Sequence, residues 1–105
     1  MYRGTTPQIK LKLDAEIDFS KIVALWVTFK CLAIEISKPL EDVILLDETN
    51  EILVDLTQED TLKFKKNPNG VPVYVQVRFR MDDDRAYATS IANISLNDIL
   101  KEGVI

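Results

Sequence analysis

The sequence contains no histidine. That absence removes the commonest general base, the Ser-His-Asp and Cys-His arrangements, and the commonest metal ligand. Cysteine occurs once, at Cys31, so no intrachain disulfide and no paired-cysteine zinc spacing can form. A lone cysteine of this kind reads as a small buried hydrophobe in a reducing compartment. Three glycines cannot build a phosphate-cradling loop, and none of the three sits in a Gly-rich pattern. No long hydrophobic run is present. The most apolar stretch, Ile22 to Ile36, is too short for a bilayer span and carries Lys30 and Glu35. No apolar core marks a signal peptide between Tyr2 and Leu13, so synthesis in the cytoplasm is expected.

What is present is ordinary for a folded domain. Hydrophobic residues make up 47% of the 105 and charged residues 29%, a balance outside the disordered range. The length fits one domain spanning 1–105, able to bury a core without metal or disulfides. The formal net charge of −4 argues against non-specific attraction to nucleic acid or to anionic membrane.

Period-two alternation dominates the chain. Ile9, Leu11 and Leu13 alternate with Lys10 and Lys12. A strand is expected over 22–30, with Val23, Leu25, Val27 and Phe29 on the core face and Trp26 on the other. Leu32, Ile34 and Ile36 make a third strand. The turn near Cys31 has no Asn-Gly or Gly signal and reads as a bulge or an unsignalled turn. Lys38-Pro39-Leu40-Glu41-Asp42 breaks the pattern, followed by short strands over 43–46 and 52–56.

Thr57 to Asp60 reads as a helix start with a partial capping box, because Asp60 is shorter than the usual Glu or Gln. One or two helical turns are expected to about Lys63, with Leu62 and Phe64 plugging the sandwich end. Asn67-Pro68-Asn69-Gly70 is a turn. A long strand follows over 71–81, then a returning strand over 86–96 whose small residues (Ala88, Ser90, Ala92) allow close approach of the opposing sheet. Asn97 caps a final helical turn over 98–102, ended by Gly103. The expected fold is all-β: a seven-stranded antiparallel immunoglobulin-like β-sandwich with one short helix between strands five and six.

Few residues suggest chemistry. Asp14, Glu16 and Asp18 alternate as calcium ligands do, but Phe19 and Leu25 stand where that loop needs Gly and Glu, so a solvated loop is favoured. Asp82-Asp83-Asp84 reads as a polar turn rather than a cation site. No cofactor is expected, no metal site is assigned, and the chain reads as non-enzymatic. The better candidates are contact residues. Tyr74, Arg78 and Arg80 share a strand face, with Tyr87 and Ile91 beside them, and Tyr and Arg are enriched where proteins meet. A solvated face or a single-stranded nucleic-acid groove are the rival readings, the latter thinly supported by two arginines in an acidic chain. Trp26 is either covered by a loop or part of a contact. Val104 and Ile105 form an apolar tail with nothing obvious to cover them.

The opening Arg3-Gly4-Thr5-Thr6-Pro7, the Leu56–Phe64 segment and the ending Ile99–Ile105 resemble short prophage-encoded proteins of Gram-positive gut bacteria. More distantly, the opening is similar to the N-terminal domain of phage baseplate upper proteins, a β-sandwich. The resemblance implies a virion component of the tail, baseplate or head–tail junction, with other virion proteins or further copies as partners. In that role Arg3, Val104 and Ile105 would join the contact surface. The alternatives are a β-sandwich binding module for sugar or peptide, with Trp26, Tyr74 or Tyr87 as platform, and a prophage-encoded regulator.

Overall fold

The computed structural model describes residues 1–14, 16–65 and 72–105. The expected 67–70 turn and the start of the long strand at Val71 lie outside the described residues. Eight strands form: β1 (Gln8–Lys12), β2 (Ile22–Cys31), β3 (Ile34–Pro39), β4 (Val43–Leu46), β5 (Glu51–Asp55), β6 (Val73–Met81), β7 (Ala86–Ala88) and β8 (Ala92–Ile94). Helix α1 (Gln58–Lys63) lies between β5 and β6, as expected. One antiparallel sheet has the order β1-β5-β4; the other runs β3-β2-β6-β7, with β8 also paired to β6.

This order matches the immunoglobulin arrangement, in which one sheet holds strands A, B, E and D and the other holds G, F, C and, in some domains, C′. With β1 in the place of B, the sheets here read B-E-D and C′-C-F-G, and β7 and β8 together take the place of G. No described strand fills the place of A beside β1. Among the described residues the three-stranded sheet therefore ends at β1.

The core lies between the sheets. Leu25, Val27, Phe29 and Cys31 of β2 face Ile52 and Val54 of β5, with Val73, Val75, Val77 and Phe79 of β6 beside them. Cys31 is buried, as its apolar setting predicts. Phe29 is fully enclosed, which is worth roughly 1.5–3 kcal/mol over an exposed side chain. Phe64, just past α1, is equally enclosed and plugs one end of the sandwich, whereas Leu62 is only partly covered.

Six local expectations are corrected. Val23 is exposed and Ile22 takes its core position, because the β2–β6 register slips between Ile22 and Ala24. Such a bulge inserts one residue and exchanges the faces before it. The β2–β3 turn is a tight two-residue turn at Leu32-Ala33, with Leu32 at φ 54, so Leu32 is not in β3. Lys38 and Pro39 extend β3 rather than ending the pattern before it.

The returning segment is two strands, not one, which raises the count from seven to eight. Arg78 pairs with Ala88 and Val75 with Ala92, a slip of one residue. Thr89 occupies the slip: its amide donates to the Val77 carbonyl at 2.9 Å, its hydroxyl accepts from the Val77 amide, and its carbonyl accepts from Gln76 Nε2. Ala88, Ser90 and Ala92 are exposed, so they do not draw the opposing sheet close. Finally, 98–102 is not helical; Asn97 instead bridges to Tyr2 in parallel.

Candidate interaction surfaces

The outer face of the five-stranded sheet gathers four of the candidate residues. Trp26 on β2 stands directly opposite Arg78 on β6 and Pro39 on β3. Arg80 and Tyr74 follow on the same side of β6, since both occupy alternate positions with Arg78. Trp26 is 51% exposed and Tyr74 45%, so neither is covered by a loop. Lys30 stands between Glu35 and Tyr74. Three cations and one carboxylate thus share this face of an otherwise acidic chain. Arg80 reaches Asp84 only at 4.0 Å, and both side chains are well exposed. A pair of this kind contributes about 0–1 kcal/mol and leaves the guanidinium available.

Tyr87 is not on that face. It pairs with Phe79, a core residue, and its ring stacks on Phe79 at 5.5 Å between centroids. Side chains directly opposite in an antiparallel pair share a face, so Tyr87 points to the interior side of the sheet. It is nevertheless 45% exposed, because the smaller sheet stops at β1 and does not cover it. Ile91, in the connection between β7 and β8, lies at the same opening. The expected five-residue cluster is therefore divided by the sheet.

Arg3 is also misplaced by sequence reasoning. It is 6% exposed and acts within the chain. Its Nε donates to the Phe64 carbonyl and Nη2 to the Leu62 carbonyl, at the C-terminal end of α1. Its Nη1 pairs with Asp98 at 2.9 Å and with Glu102. The Glu102 hydrogen bond, against the opposing effect of burial and helped by Asp98, raises the Arg3 pKa further above neutrality. The rest of the opening is equally structural. Gly4 has φ +71, and a Cβ there would stand 2.8 Å from Ile99 Cδ1. The Thr5 carbonyl accepts from Thr61 Oγ1, and the Pro7 carbonyl accepts from the Leu56 amide.

The Val104 and Ile105 side chains are exposed, while the Ile105 backbone pairs with the Gln58 side-chain amide through two hydrogen bonds. The missed signal for Arg3 is compositional: one arginine beside a glycine, with Asp98 and Glu102 four apart near the other end of the chain.

The acidic clusters serve local structure. Asp18 accepts from both the amide and the hydroxyl of Ser20, and these bonds hold its pKa below the usual carboxylate value. Asp83 accepts from the Arg85 amide at 3.0 Å, closing the turn between β6 and β7. No group of three or more Cys, Asp or Glu side chains is placed to hold a metal among the described residues. No helix among them is long and apolar enough to cross a membrane. No protein-family model matches the chain, and no curated protein or solved structure matches it.

Proposed function

We propose that this protein is a non-enzymatic assembly component that acts through protein contacts made by the outer face of its five-stranded sheet. The observation that carries the reading is the juxtaposition of Trp26 with Arg78 on a continuous strand surface, flanked by Tyr74 and Arg80. An aromatic and an arginine side by side are the residue types on which contact energy concentrates. Strands hold both with little conformational freedom, so little entropy is lost when a partner covers them. The cationic character of the face favours an acidic partner surface, and the rest of this chain supplies one. Within this reading the protein is a phage or prophage virion component of the tail or baseplate, which rests on the likeness of the Arg3–Pro7 opening and the two further segments.

Light scattering between about 5 µM and about 500 µM tests the reading, a range that brackets weak self-association. The wild type is expected to gain mass with concentration, and Trp26→Ser and Arg78→Glu to remain monomeric with unchanged melting temperatures. A wild type that stays monomeric throughout, together with a Trp26 emission shift on adding glycans, would replace assembly with the sugar-binding reading.

A further inference from the structure

A second surface lies on the opposite side of the β6 strand from Trp26. The sandwich is closed along one flank, where β3 passes through Leu40–Asp42 into β4. Along the other flank no described strand joins the two sheets. The edge of β1 and the β7–β8 edge face each other across a cavity of about 550 Å³. Leu11, Leu13, Val77, Phe79, Tyr87 and Ile91 line it. This is where the first strand of an immunoglobulin sheet would lie, and no described strand occupies it.

The edge of β1 is chemically ready for pairing. The Pro7 carbonyl and the Leu13 amide both bond toward the β5 side, to Leu56 and Asn50. Backbone groups alternate sides along a strand, so those of Gln8, Lys10 and Lys12 point away from β5 toward the open flank. An apolar trough beside unpaired strand edges is the setting in which an extended peptide adds to a sheet. Proteins commonly guard such edges with lysine, and here Lys10 and Lys12 stand on the outer side of β1. Lys10 approaches Glu51 only at 3.9 Å with most of its side chain exposed, so both lysines can meet an incoming acid.

We propose that this seam takes an extended strand of a different protein, antiparallel to β1, in which apolar residues alternate with acidic ones. The apolar residues enter the trough against Phe79, Tyr87 and Ile91. The acidic residues emerge on the solvent side opposite Lys10 and Lys12. The choice of sign follows from those lysines: a strand with basic outer residues would set like charges opposite each other. The seam and the Trp26 face are on opposite sides of one sheet, so a single copy could engage a partner through each.

Amide hydrogen exchange of the full chain, followed by NMR, tests this with two synthetic heptapeptides, one alternating Glu and Val and the other alternating Lys and Val. The Glu-Val peptide is expected to slow exchange at the Lys10 and Lys12 amides by about tenfold or more near saturation, and the Lys-Val peptide to leave it unchanged. In a Lys10→Glu/Lys12→Glu variant the preference for the two peptides should reverse. Ile91→Glu, at an exposed position outside the strands, should weaken binding of the Glu-Val peptide without altering the spectrum of the remaining core. Failure of the Glu-Val peptide to protect Lys10 and Lys12 at millimolar concentration would overturn the proposal. So would equal protection by both peptides. Protection already present without peptide, rising with protein concentration, would overturn it in favour of a second copy as the occupant.

Discussion

At the scale of single residues, two positions carry conformations or contacts that their type does not advertise. Leu32 has φ 54, a left-handed value that costs a non-glycine residue roughly 1–2 kcal/mol. The side chain there is exposed, so little packing compensates. Leu32→Gly is expected to raise stability by about 1 kcal/mol in urea unfolding, with β2 and β3 unchanged. Arg3 is the reverse case, an arginine with its stem enclosed and every bond made within the chain. Arg3→Ala removes one donor each from the Leu62 and Phe64 carbonyls and the Arg3 ion pairs of Asp98 and Glu102, at a cost of about 2–3 kcal/mol. The same variant should speed exchange of the Asn97 and Ile99 amides, because the 98–102 segment loses its ion pairs to Arg3. Neither role was legible in sequence. A turn without glycine gives no signal of its type, and the partners of Arg3 lie more than ninety positions away at Asp98 and Glu102.

At the scale of elements, alternation located β1, β5 and β6, whose inward residues pack toward the other sheet, while β4 was legible only as a short apolar run. It misassigned faces where a bulge intervenes. One inserted residue at Val23 and another near Thr89 shift the phase, and hydrophobicity alone cannot show this when both candidates, Ile22 and Val23, are apolar. The helix start was legible in the Thr57–Asp60 spacing, and the structure completes it. Thr57 Oγ1 accepts from the Asp60 amide at 3.0 Å while Asp60 Oδ2 accepts from the Thr57 amide at 2.9 Å. Thr57→Ala is expected to cost about 1 kcal/mol.

Asp60 also holds Lys38 of β3 at 2.7 Å, which joins α1 to the edge of the larger sheet. Burial works to raise its pKa, but Lys38 and the Thr57 amide outweigh burial and lower it. A folded-state value below the unfolded value of about 4 stabilises the fold at neutral pH, and that contribution is lost as pH falls through the folded value. Melting temperature should therefore fall between about pH 5 and pH 2. Asp60→Asn should start lower at pH 7 and fall less steeply over that window. Equal acid slopes in the two proteins would exclude Asp60 from the transition.

At the scale of the whole molecule, the sequence was sufficient for the all-β class, the sandwich and the place of the helix. Strand spacing and the lack of long helical periods leave few other ways to bury these faces. It was not sufficient for the distribution of the exposed aromatics. Tyr74 and Tyr87 look alike in sequence, yet one stands on the outer face and the other on Phe79 at an open flank. Strand pairing sets that division, and Tyr87 stays exposed because the sheets are unequal, three strands against five, which no local pattern encodes.

Under the proposed function the Trp26 face is covered when the protein acts, and Trp26 is the only tryptophan in the chain. Its fluorescence reports on that face alone. Emission and acrylamide quenching should be recorded at each concentration used for light scattering. A blue shift and reduced quenching that rise in step with mass are expected under the proposed function. An increase in mass with Trp26 as accessible as in the monomer would contradict it, because assembly would then proceed through another surface.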